Sequence, residues 1–78
     1  MNGETLILTA SEAARTLRLS AAETLKRLEV GEIPATRDGT HWKIPRTLLI
    51  GYIENKAIKE TQARREKYEK EKMEQGEV

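Results

Sequence analysis

The chain has 78 residues, of which 37% are hydrophobic and 35% charged, with 14 Lys and Arg set against 13 Asp and Glu and no cysteine. A chain of this length makes one small domain that buries only about 60% of its unfolded surface, so its core has to be compact and local. The missing cysteines exclude disulfides and thiolate metal sites, and no apolar run approaches the roughly 20 residues that cross a bilayer, so the protein reads as soluble and cytoplasmic.

Residues 1–5 form a polar lead expected to be disordered, and Leu6, Ile7 and Leu8 are apolar residues placed to lie across the core before the first helix. Thr9 followed by Glu12 has the spacing of a capping box, in which each side chain satisfies the other's backbone amide. Ala10, Ala13, Ala14 and Leu17 then recur at helical spacing and predict an amphipathic helix of about two turns. Its alanines leave room for a second helix to cross closely. Arg18 and Leu19 form a short link, with Leu19 plugging the corner between the helices. Ser20 and Glu23 repeat the capping box and start a second helix, which Gly31 ends because glycine enters the left-handed conformation without steric penalty. Along this helix Ala21, Thr24, Leu25 and Leu28 fall on one arc and are expected to pack. Ala22, Lys26 and Glu29 fall on the opposite arc and are presented.

Past Gly31 the period becomes that of a sheet. Ala35, Thr36 and Arg37, the Asp38-Gly39 pair, and Thr40 to Ile44 predict two short strands around a tight turn. A period of two puts Trp42 and Ile44 on one face, covering the core, and His41 and Lys43 on the other, beside Arg37. Trp42 is expected to be a core residue, since a small core gains most from one large aromatic. Pro45 is placed to pre-set the first turn of a third helix, to which Leu48, Leu49, Tyr52 and Ile53 give an apolar side. The domain is therefore expected to span residues 6–54.

Residues 55–78 form a charged tail. From Glu54 onward seven basic residues alternate with seven acidic ones, and Glu60 with Arg64 and Glu66 with Lys70 have the favourable i, i+4 order. Ile58, Ala63, Tyr68 and Met73 are too sparse for a continuous seam. The pattern fits either a solvated, fraying extension of the third helix or a short oligomerisation or docking helix. Residues 1–53 hold seven basic and six acidic side chains, so any affinity for nucleic acid depends on where the charges sit. His41, the one histidine, lacks H-E-x-x-H spacing and cysteine neighbours, which argues against a metal site. No serine, histidine and acid spacing suggests catalysis, and no glycine-rich loop could cradle a nucleotide. The protein is expected to be no enzyme and to need no cofactor.

Thr9-x-x-Glu12-Ala13-Ala14, Leu17-x-Leu19-Ser20, Gly31-Glu32-Ile33-Pro34-Ala35, Gly39, Trp42-Lys43-Ile44-Pro45, Leu49 and Tyr52-Ile53 resemble, in order and spacing, the excisionase-type DNA-binding domains, cousins of the MerR winged helix-turn-helix. The resemblance covers about residues 6 to 54 and implies a mainly α fold with a small β-hairpin, a winged helix-turn-helix followed by a long charged C-terminal helix. It also implies that the second helix enters the major groove of double-stranded DNA while the wing touches backbone or minor groove. Carried over by position, the groove-facing places are Ala21, Ala22, Leu25 and Lys26, and the wing places Arg37, Thr40, His41 and Lys43. Arg27, at the edge of the presented arc, either joins the contact or pairs with Glu23. The function implied is that of a non-catalytic accessory factor in recombination, from a phage or mobile element, or of a transcriptional regulator. Its partners would be DNA, a recombinase or phage protein, and further copies of itself on DNA or through the tail. The rival reading is a protein-interaction module, such as a phage packaging subunit resembling small terminases, that uses the tail for assembly. A bare structural remnant is the third.

Overall fold

The structure, a computed structural model, describes residues 6–76, and the expected disordered lead lies outside them. The elements run β1 (Ile7–Leu8), α1 (Ala10–Leu17), α2 (Ala21–Glu29), β2 (Thr36–Asp38), β3 (His41–Pro45) and α3 (Arg46–Gly76). This is a winged helix-turn-helix with a small antiparallel sheet and a long charged C-terminal helix.

The ends of both short helices are set by local chemistry. Thr9 Oγ1 accepts from the Glu12 amide at 3.1 Å and Glu12 Oε1 accepts from the Thr9 amide at 2.9 Å, so the first capping box is complete. Arg18 closes α1 at φ 58° and ψ 41°, with its amide on the Arg15 carbonyl and the Leu19 amide on that of Ala14. A side chain in this left-handed region costs about 1 to 2 kcal/mol. Ser20 caps α2 by accepting from the Glu23 amide at 3.1 Å. The reciprocal half of this second box is not formed, because Arg27 draws the Glu23 carboxylate one turn onward. Gly31, at φ 84°, ends α2 as its sequence position predicts; the Glu32 amide returns to the Arg27 carbonyl, and the chain turns back under the helix.

That return drops Ile33 into the core, where Ala13, Leu28, Ile33, Ile44 and Leu49 are buried together. Ala13 is a small residue where α1 meets its neighbours, which lets the elements approach closely. Thr24, wholly buried on α2, satisfies its hydroxyl by donating to the Ser20 carbonyl at 2.9 Å. Several side chains sit elsewhere than the periodicity predicts. Trp42 is half-buried at the rim, and Ile33, from a loop with no period, joins Ile44 at the centre. Ala21, Leu25 and Leu48 are exposed, because the buried arc of α2 narrows to Thr24 and Leu28 and that of α3 to Leu49, flanked by Tyr52 and Ile53.

The sheet has three strands in the order β1-β3-β2, not two. β1 pairs Leu8 with Ile44 and Ile7 with Pro45, so the apolar residues before α1 contribute a strand; of the three expected to lie across the core only Leu8 packs against it, while Leu6 and Ile7 are exposed. β2 and β3 pair Thr36 with Lys43, Arg37 with Trp42 and Asp38 with His41. The turn is therefore Gly39-Thr40, one residue later than the Asp38-Gly39 of the sequence reading. Gly39 alone takes a positive φ, 65°, the pattern of a II′ hairpin. Pro45 ends β3 and does not open the helix; the Arg46 amide donates to the Leu6 carbonyl at 2.8 Å.

α3 runs 31 residues, about 46 Å, with no break at residues 54 and 55. Its first turns pack on the core, and every described side chain beyond Thr61 is exposed. Neither charge pair expected in the tail forms: Glu60 is held by Lys56 at 3.3 Å and Arg64 donates to Thr61, while no described ion pair joins Glu66 to Lys70. No helix among the described residues is long and apolar enough to cross a membrane.

Arg18→Gly removes the left-handed strain at the α1 terminus and should raise stability by about 0.5 to 1 kcal/mol, after allowing for the entropy glycine loses on folding. Thermal denaturation would show it as a higher midpoint. Because Leu49, Tyr52 and Ile53 all precede the cut, truncation after Asn55 should preserve one cooperative unfolding transition by circular dichroism.

Candidate nucleic-acid interface

Thr24 and Leu28 anchor α2 to the core, so the rest of its surface away from α3 is left uncovered: Ala21 and Leu25 flank the buried arc and Ala22, Lys26 and Glu29 lie opposite it, all exposed. Lys26 makes no ion pair among the described residues, so its ammonium is available to an incoming anion. Four of the residues the sequence assigns to the groove thus lie on one free surface.

Arg27 lies elsewhere. It is turned a quarter of the way round the helix, half-buried, and its Nε donates to Glu23 Oε2 at 2.8 Å. Its Nη1 donates to Tyr52 Oη on α3 at 3.1 Å, and Tyr52 in turn donates to Glu32 Oε2. Glu32 also lies 3.8 Å from Arg27 and 3.7 Å from Lys56, which continues to Glu60. Of the two uses the sequence leaves open for Arg27, the structure realises the pairing with Glu23. The hydrogen bond from Tyr52 holds the Glu32 carboxyl below its usual range, and the charges of Arg27 and Lys56 act in the same direction. Partial burial first, and then the Glu32 carboxylate, push the Tyr52 phenol up. The Lys56 ammonium is raised chiefly by its bond to Glu60. No buried side-chain nitrogen or oxygen among the described residues lacks a partner. The network is a closed clamp joining the end of α2 to α3.

On the wing the observed register separates residues that the sequence groups together. Arg37 is opposite Trp42, so it shares the indole's face and not that of His41 and Lys43. Its guanidinium lies 5.0 Å from the Trp42 ring centroid, and its Nε donates to the Gly39 carbonyl at 3.2 Å. The indole thus has the core on one side and a cation on the other. Lys43 Nζ lies 3.2 Å from Asp38 Oδ2, a contact between two exposed groups that solvent weakens. Thr40 and His41 are exposed at the tip.

A groove of about 480 Å³ runs between the start of α1, α2 and the wing, lined among others by Leu8, Leu25, Thr40, His41, Trp42 and Lys43. It brings four assigned residues, Leu25, Thr40, His41 and Lys43, to one opening; Arg27 and Arg37 do not line it. The acidic charge that makes the domain nearly neutral is largely spent internally. Glu12 holds a cap, Glu23 and Glu32 belong to the clamp, and Asp38 meets Lys43. Arg15 and Arg18, exposed at the turn into α2, add positive charge that the helix periodicity did not single out. A left-handed arginine in the turn has no local sequence signature.

A family model described as a helix-turn-helix domain matches residues 7–57, about two thirds of the chain. No curated protein and no solved structure gives a significant match.

The clamp has a pH signature. Because the folded-state value of Glu32 is depressed, its stabilising contribution is present above the ordinary carboxylate range and is lost as pH falls through the lowered value. Tyr52→Phe removes the largest cause of the depression. Urea titrations from about pH 6 down to about pH 3 should show a shallower acid-side decline for the variant than for the parent.

Proposed function

Because the chain belongs to a helix-turn-helix domain family, and is a small DNA-binding protein of that type, we propose that it is excisionase-like and acts without catalysis as an accessory factor that organises DNA for a recombinase. In this reading α2 lies in the major groove and the wing follows the backbone or enters the minor groove. Ala21, Ala22, Leu25 and Lys26 face base edges and phosphates, while Thr40, His41 and Lys43 meet the sugar-phosphate chain. Arg27 positions α2 from behind, through Tyr52. Arg37 keeps the wing upright by its seat on Trp42, with its charge still exposed toward the backbone.

The observation that supports this reading most directly is the common opening. Leu25 of α2 lines one groove with Thr40, His41 and Lys43 of the wing, so in this reading a duplex laid on the helix also meets the hairpin. Glu23 and Glu32 are held by Arg27 away from this surface, which leaves Glu29 as the acidic group of α2 nearest a phosphate there. A single module of this kind buries on the order of 600 to 1,000 Å², which makes one copy a weak binder. Useful affinity then requires neighbouring copies on adjacent sites, and the exposed length of α3 offers a surface for a protein partner.

Selection of duplexes from a random pool with the intact protein should enrich a motif repeated at fixed spacing. With about three to five phosphates neutralised, log K should fall with log salt at a slope of about −3 to −5. Lys26→Ala should weaken binding and make that slope shallower by about one. Failure to bind any duplex at low ionic strength would refute the proposal.

A further inference from the structure

The chemistry of the uncovered α2 face is unusual for a surface that meets base edges. Resting on the DNA-binding reading above, we infer that this face recognises thymine C5-methyl groups, through Ala21, Ala22 and Leu25, and that the preferred sites carry adjacent thymines beneath the helix.

Each step of the inference comes from what the helix offers and what it withholds. A base edge can be read by hydrogen bonds or by apolar contact, and in the major groove thymine is the base that presents an apolar group. Adenine calls for an amide side chain, cytosine for a carboxylate and guanine for a cation. α2 contains no Asn or Gln. Glu23, the one carboxylate in its first turns, is held by Arg27 on the side facing α3, and the oxygen of the Ser20 hydroxyl is occupied as the cap. The N-terminal half of α2, the part that approaches base edges in this geometry, therefore presents hydrocarbon. Leu25 is 39% exposed at the edge of the arc that buries Thr24 and Leu28, outside the core cluster. It leaves apolar area in water that a methyl group would cover. Lys26 follows on the same surface and supplies the one cation, suited to a phosphate or a single guanine at the margin of the thymines. Leu25 also lines the groove shared with Thr40 and His41, so this side chain sits between helix and wing, where a bound duplex would exclude water.

The test uses the intact protein and two random-sequence duplex pools, one made with thymine and one with uracil throughout, which differ at each such base only by the C5-methyl. The thymine pool should yield sites with adjacent thymines. Rebuilding a selected site with uracil at those positions should weaken binding about four-fold for each methyl removed. Leu25→Ala should bind the thymine and uracil versions with more nearly equal affinity, while Leu25→Met, which keeps an apolar reach, should retain the preference. Leu25 lies outside the buried cluster, so both variants should melt as the parent does. Equal affinity of the parent protein for the two versions would overturn the inference and leave DNA binding standing. Retention of no duplex from either pool would overturn both.

Discussion

Ile44 is where the layers of this small protein meet. It is wholly buried on β3, the strand that pairs with β1 on one side and β2 on the other, touches α1, and leads directly into α3. Burying such a side chain contributes about 1.5 to 3 kcal/mol, a large share of what a core this size can supply. The wing, the lead strand and the base of the long helix are all oriented from that strand. Ile33 and Leu49 close the cavity around it from the loop and from α3.

α2 is held in a different way. It crosses α1 by means of small residues and inserts only Thr24 and Leu28, so its apolar anchorage is slight for a helix of nine residues. The polar clamp makes up the difference: Arg27 reaches Tyr52 on α3, and Tyr52 reaches Glu32 just past the α2 terminus. The hydroxyl between a guanidinium and a carboxylate fixes both the roll of α2 and the path of the chain leaving it. The side of α2 left free is consequently the same in every molecule, as selective recognition requires.

The clamp also explains how a nearly neutral domain can meet a polyanion. Ion pairing of Glu23 and Glu32 with Arg27 and Lys56 holds those charges on the α3 side of the helix, and the other side of α2 keeps Lys26 and Glu29 with no ion pair among the described residues. That face offers one cation and one carboxylate beside hydrocarbon, on a helix whose other hydrogen-bonding side chains are engaged elsewhere. Affinity from a single copy is necessarily modest, and the long exposed α3 is the part of the chain with surface to spare for other contacts.

The elements themselves were legible in the residues. Thr9 with Glu12, Ser20, and Gly31 mark helix ends through interactions that span three or four residues, so they can be recognised without knowing the rest of the fold. The blocks around Gly31 to Ala35 and Trp42 to Pro45 carried the resemblance to the winged domain that the family match supports. Tertiary structure decided whatever depended on partners distant in sequence. Ile33 is central because a turn carries a loop residue beneath a helix, and Ile7 and Leu8 pair as a strand because β3 offers them an edge. Arg37 sits with Trp42 because a one-residue shift in turn position moves a side chain to the other face of the sheet. Arg27 faces inward because a tyrosine 25 residues away meets it. Periodicity measures only the angle around one element. Which angle is covered is set by the neighbours that pack there, and those are brought together only when the chain folds.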